Sequence, residues 1–211
     1  MQKSKLLVAL AIAACSTTAI ADEEVTYSFG LKNWNHKFTE GGNSTSATTA
    51  TILSATAKKG NYLVTVSTVL PTTYSFSGGS NLIRKDTDIA LGYVLSSNLS
   101  LIAGAKKLPY TEYSSSSDTT SSNTINMNYL GLNGFSAIGE QSFVYGTALR
   151  SLNAKESGST DKLIFTSVEF GIGYVLNKNT QLTAGYRSQK FSGDDNNTTL
   201  PGVIFGVNLT P

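Results

Sequence analysis

The chain has 211 residues, 40% apolar, 14% charged and 9% aromatic, with a formal charge of +2, which is too hydrophobic for a disordered tail and too neutral to suggest a nucleic-acid partner. After the first twenty residues no apolar run approaches the roughly 20 residues that a membrane-spanning helix needs. Cys15 is the only cysteine, which excludes an intramolecular disulfide or a cysteine-based metal cluster.

The N-terminus carries Lys3 and Lys5, the apolar run Leu6 to Ala14, and Ala19-Ile20-Ala21 ahead of Asp22-Glu23-Glu24. This order predicts a secretory signal peptide over residues 1–21 and a single mature domain over 22–211. The alternative treats Ile12-Ala13-Ala14-Cys15 as a lipoprotein box with Cys15 lipidated. Without Lys3 and Lys5 the mature chain has 14 basic against 14 acidic residues.

Downstream, apolar and small or polar residues alternate with period two in runs of about ten, separated by connectors that are in turn short and long. The predicted strands are 25–37, 47–58, 61–71, 84–95, 99–110, 124–135, 142–152, 162–176, 180–191 and 200–209. In the first, Val25, Tyr27, Phe29 and Leu31 share one face. In the fourth, Ile89, Leu91, Tyr93 and Leu95 oppose Asp88, Ala90, Gly92 and Val94. The eighth repeats that division, and Gly92-Tyr93-Val94-Leu95 recurs as Gly173-Tyr174-Val175-Leu176 at an offset of 81. The offset maps Asp88 onto Glu169 and Lys106 onto Arg187, and the short turns place Asp88 opposite Lys106 and Glu169 opposite Arg187.

A face built of glycine, serine and charge suits a lumen better than a solvent surface. The pattern predicts an all-β, up-and-down antiparallel transmembrane β-barrel, most simply of ten strands, with eight or twelve as alternatives. Aromatics fall into two tiers, Tyr62, Tyr93, Phe143 and Tyr174 near the short turns and Trp34, Phe38, Tyr110, Tyr186 and Phe191 toward the long connectors, as two interfacial girdles would.

With its signal peptide, its Gly-Tyr-Val-Leu hairpins, Leu182-Thr183-Ala184-Gly185-Tyr186-Arg187 and a closing Gly202-Val203-Ile204-Phe205-Gly206-Val207-Asn208-Leu209, the chain resembles small Gram-negative outer-membrane β-barrel proteins of the porin-like and OmpA-like kind. The resemblance implies residence in the cell outer membrane, contact with its lipid and lipopolysaccharide, and insertion by the barrel-assembly machinery. That family usually ends in an aromatic residue, whereas this chain ends Leu209-Thr210-Pro211. Enzymatic barrels of the same kind need patterns that are missing here: an Asp-His pair with an acidic dyad in the proteases, His-x-Ser in the lipid A deacylases, and His, Asp and Ser in the palmitoyl transferases. His36 is the only histidine, and a place on the rim of the first strand is expected for it. No enzyme activity, cofactor or metal is expected. Asp194-Asp195-Asn196-Asn197 lacks the spacing of a calcium loop.

Parity places Lys32, Asp88, Lys106, Arg150, Glu169 and Arg187 in the lumen, because a lipid-facing cation at mid-depth costs about 2–4 kcal/mol. Gly30, Gly92, Gly104, Gly146, Gly171, Gly173, Gly185, Gly202 and Gly206 are placed beside them and are expected to leave open space. The resulting expectation is a narrow passive pore with weak anion preference. The alternative is a closed barrel that meets a surface partner through loops 72–83 and 111–123, and a lipid-modifying enzyme is a distant third.

Overall fold

The computed structural model describes residues 24–159, 162–193 and 197–211. The signal-peptide reading, Cys15 and Asp194 to Asn196 fall outside them. Ten long strands form one antiparallel meander: β1 Thr26–His36, β4 Thr48–Lys59, β5 Tyr62–Ser75, β6 Asn81–Ser96, β7 Leu99–Ser114, β8 Thr119–Ala137, β9 Ser142–Glu156, β10 Ile164–Asn177, β11 Thr180–Ser192 and β12 Asn197–Leu209. β1 pairs with β12 from Phe29 opposite Leu209 to His36 opposite Gly202, so the sheet closes on itself. A small hairpin, β2 Thr39–Glu40 and β3 Asn43–Ser44, continues the wall above β1 by pairing Thr39 and Glu40 with Thr199 and Thr198. Closure gives every long strand two neighbours, which is how a sheet satisfies its backbone in hydrocarbon.

The alternation decides which side of the wall each residue takes. Phe29, Leu31, Leu53, Leu91, Leu101, Leu132, Phe170, Ile172, Leu182 and Phe205 lie exposed on the outside as a belt in the half of the barrel nearer the short turns, and Leu70, Ile83, Leu152 and Ile164 extend the apolar outer surface toward the long loops. Tyr62, Tyr93 and Tyr174 edge this belt, with Tyr62 and Tyr93 packed edge to face at 5.2 Å. The other half is filled from within. Trp34, Ile52, Val69, Leu82, Leu108, Met127, Ala154, Phe165, Phe191, Leu200 and Ile204 form one buried cluster to which all ten long strands contribute.

Several sequence expectations are corrected. Four of the five aromatics of the upper tier, Trp34, Phe38, Tyr110 and Phe191, belong to or pack on that interior cluster, and Tyr186 alone stands on the outside. In the lower tier Phe143 turns inward over Gly173. The parity that puts Lys32 inside also puts Trp34 and Phe38 there, so filling the lumen takes precedence over lining the interface.

The strands also run further than expected at the long-loop end. Residues expected as loops 72–83 and 111–123 are largely strand, with Thr111 opposite Ser122 and Tyr113 opposite Thr120, which leaves only 76–80 and 115–118 as connections. Serine and threonine read as loop by composition, yet at the long-loop end they make cross-strand hydroxyl bonds such as that between Thr111 Oγ1 and Ser122 Oγ at 3.0 Å. The tight reversal at 115–118 is allowed by Asp118, which adopts a left-handed φ of 51°.

Two bulges reset parity. On β5 the pairing with β6 slips between Val69 and Thr72 at Pro71, which has no N–H to give the ladder, and Thr72 and Tyr74 consequently face inward. On β9 Asn153 pairs with Asn128 and Ser151 with Tyr129, so Leu152 bulges to the outside and Ala154 and Glu156 turn in.

Candidate functional site

From the short-turn end the lumen opens as a cavity of about 540 Å³ lined by Lys32, Tyr145, Thr147, Glu169, Thr183 and Arg187 among others. Its cross-strand pairs follow from register. Glu169 on β10 lies opposite Arg187 on β11, with Nη1 of the arginine 3.7 Å from Oε2, and Lys32 reaches across from β1 to Glu169 Oε1 at 2.5 Å.

A second charged group sits on the other side of the barrel. Asp88 on β6 lies opposite Lys106 on β7 at 3.1 Å, and Tyr129 on β8 donates its hydroxyl to Asp88 at 2.5 Å. Two positions further along β6, Asp86 accepts a two-pronged bond from Arg84, at 2.8 and 2.7 Å, and lies 3.6 Å from Lys106. Arg84 spends its remaining reach on Gln189 Oε1, 2.8 Å away across the lumen on β11. Each lumen cation also covers an aromatic ring: Lys32 on Tyr145, Arg84 on Phe191, Lys106 on Phe165 and Arg187 on Trp34, at 5.0 to 5.7 Å.

Toward the long loops the lumen is filled by buried side chains. Phe165, Gln189 and Leu200 are 0% exposed, and Trp34, His36 and Ile204 are 1% exposed. His36 stacks on Trp34 at 3.7 Å and uses both ring nitrogens. Its Nδ1 lies 3.0 Å from the Trp34 carbonyl, which can only accept, so this nitrogen carries the proton and Nε2 accepts from the Tyr74 hydroxyl at 2.7 Å. The expected rim histidine is thus part of a septum.

Of the six residues singled out from the sequence, Asp88, Lys106, Glu169, Arg187 and Lys32 meet in the lumen as two clusters, while Arg150 does not join them. Arg150 is exposed on the outer face with Ala148 and Leu152, opposite Leu130 and Thr166. Thr166 is only two residues from the long-loop end of β10, so Arg150 lies on the outer wall in the long-loop half of the barrel, beside the exposed Leu152. Gly146 shares its face. Arg84, Asp86 and Gln189 were missed, although Arg84 and Asp86 share the parity of Asp88.

The lumen glycines do not leave open space. A side chain on Gly104 would meet the Tyr129 ring, one on Gly173 the Phe143 ring, one on Gly185 the Tyr145 hydroxyl, and one on Gly202 His36. They are seats for large neighbours rather than voids. Among the described residues, no group of three or more His, Cys, Asp or Glu side chains converges as a metal site would require.

No protein-family model matches the chain, and no curated protein is similar to it. Solved structures are similar. The outer membrane protease OmpT from Escherichia coli superposes with a TM-score of 0.61 at 14% identity, covering 93% of this chain and 99% of that one. The translocator domain of the autotransporter NalP from Neisseria meningitidis gives 0.50 at 10% identity, covering 98% and 95%. At these identities the likeness is one of fold. The chain has the closed antiparallel architecture of Gram-negative outer-membrane β-barrel proteins.

Proposed function

We propose that this protein is an integral outer-membrane barrel whose lumen is closed at rest and whose activity is exercised at the mouth on its long-loop side, without catalysis. The carrying observation is the septum: side chains from all ten long strands meet in one buried cluster, with no exposed surface at Phe165, Gln189 or Leu200. The burial of His36, 1% exposed and out of reach of a substrate, supports the non-catalytic part of this reading.

The outer wall supports residence in a membrane with phosphorylated lipid. Every carboxylate on the long strands, Asp86, Asp88, Glu112, Glu156 and Glu169, turns to the lumen or its mouth, whereas Lys85, Lys107, Arg150, Lys155 and Lys190 stand exposed in the long-loop half. Such a rim suits the phosphates of lipopolysaccharide, which favours an orientation with the long loops outside the cell.

A passive pore is the second reading, favoured by the 540 Å³ cavity at the short-turn end. Inside the barrel the cations Lys32, Arg84, Lys106 and Arg187 exceed Asp86, Asp88 and Glu169 by a single charge, but Glu40, Glu112 and Glu156 at the mouth outweigh that excess, so the weak anion preference expected from the sequence would hold only for the lower part of an open path. Single-channel recording in a planar bilayer separates the two. Folded, inserted wild type is expected to be silent, with steps appearing in Trp34→Ala/Phe165→Ala. Steady conductance from wild type would replace closure with the pore.

A further inference from the structure

Above the septum, on the long-loop side, lies a second cavity of about 300 Å³. Its wall is apolar, formed by Phe38, Leu82, Leu108, Ile125, Leu163 and Phe191, and its rim carries Glu40, Glu112 and Glu156. Three separate devices bring the carboxylates there. The β2–β3 hairpin holds Glu40, which accepts from Thr198 Oγ1 at 3.2 Å. The unforeseen extension of β7 carries Glu112. The bulge at Leu152 swings Glu156 inward, where the Tyr110 hydroxyl donates to it at 2.6 Å.

These charges are not cancelled within the mouth. Glu112 lies in the negative field of both Glu40 and Glu156, and none of the three forms an ion pair with another described residue. Arg84, the one cation among the described residues of the wall, is already committed to Asp86 and Gln189 at the floor. The carboxylates are too far apart for a coordination cage, since no metal-ligating group of three is found among the described residues. A diffuse negative rim over an apolar cup is complementary to one kind of small molecule, a cation with an apolar body. The volume lies at the small end of ligand pockets, roughly 300–1,000 Å³.

We infer that this cup binds a small organic cation, seating its apolar or aromatic body against Phe38, Leu108 and Phe191 and its ammonium group among Glu40, Glu112 and Glu156. The inference deepens the reading of a closed barrel acting through its mouth, and the two fail separately. Conductance from wild type overturns closure whatever the cup binds, and the ligand test below overturns the cup whatever the conductance.

The test uses the protein refolded in a non-ionic maltoside detergent, with folding checked by heat-dependent gel mobility. Calorimetry compares three probes of one shape: 4-phenylbutylammonium, 4-phenylbutanol and 5-phenylpentanoate. The ammonium is expected to bind roughly tenfold more tightly than the alcohol, and the carboxylate more weakly than either. Glu40→Gln/Glu112→Gln, which alters exposed or half-buried rim residues, is expected to weaken ammonium binding roughly tenfold and leave the alcohol unchanged. Added salt should mimic that variant for the ammonium alone. Equal binding of the three probes, absence of binding at millimolar ammonium, or an undiminished ammonium preference in the double variant would each overturn the proposal.

Discussion

At Asp86 two cations converge on one buried carboxylate, with Arg84 gripping both oxygens and Lys106 at 3.6 Å. Asp86→Asn would leave Arg84 buried without its charged partner, while Lys106 keeps Asp88 at 3.1 Å, and a loss of about 3–5 kcal/mol is expected in urea unfolding from lipid vesicles. Adding Arg84→Met should recover part of that loss, because the pair is removed together; strictly additive losses would show that the contact contributes nothing. Arg187 and Arg150 differ in the same physical terms. In the opened Trp34→Ala/Phe165→Ala barrel, Arg187→Glu is expected to move the reversal potential toward cations, whereas Arg150→Glu on the outer wall should leave it in place. A shift from Arg150→Glu would return that residue to the lumen. The pairs Asp88–Lys106 and Glu169–Arg187 were legible because an internal repeat and a short turn together define their register. Arg150 was not, because the rule that charge turns inward depends on depth, and depth cannot be read from alternation alone.

At the scale of strands, the same alternation was readable wherever it ran uninterrupted and was lost at the bulges. Pro71 reads as the end of a strand, yet β5 continues past it to Ser75 with reversed parity, and Tyr74 enters the septum to meet His36. Leu152 does the same for Glu156. Neither reversal has a marker in residue type beyond the proline. The glycines belong to this scale too, since each is half of a cross-strand pair. The three atoms nearest a Cβ on Gly173 all belong to the Phe143 ring, so Gly173→Ala should cost about 1–3 kcal/mol by displacing it. Phe143→Leu in the same chain is expected to relieve most of that cost, read as a coupling in a double-mutant cycle. A lack of coupling would mean that the ring does not rest on the glycine.

For the whole molecule, the decisive feature is the separation of charge across the wall, visible on β9, with Arg150 and Lys155 outside and Glu156 turned in, and repeated around the long-loop half. Lys107 and Lys155 flank Asn126 on adjacent strands, and Arg150 and Lys190 flank Thr166. Two strand spacings put each pair about 9.6 Å apart, a separation that long, flexible side chains can close on one phosphate group. In hydrocarbon these cations would be a burden, but at a phosphorylated surface each contributes about 1 kcal/mol. The protein is therefore expected to unfold at a higher temperature in bilayers containing lipopolysaccharide than in bilayers of its dephosphorylated form. Replacing Lys107, Arg150, Lys155 and Lys190 together by Gln should abolish that increment while leaving stability in zwitterionic lipid unchanged. If the quadruple variant loses stability equally in both lipids, the rim cations are packing their stems against the barrel and not reading phosphate. If it retains the increment, the phosphates are met elsewhere, and the one-sided charge of the wall serves only to keep carboxylates out of the lipid and gathered around the mouth.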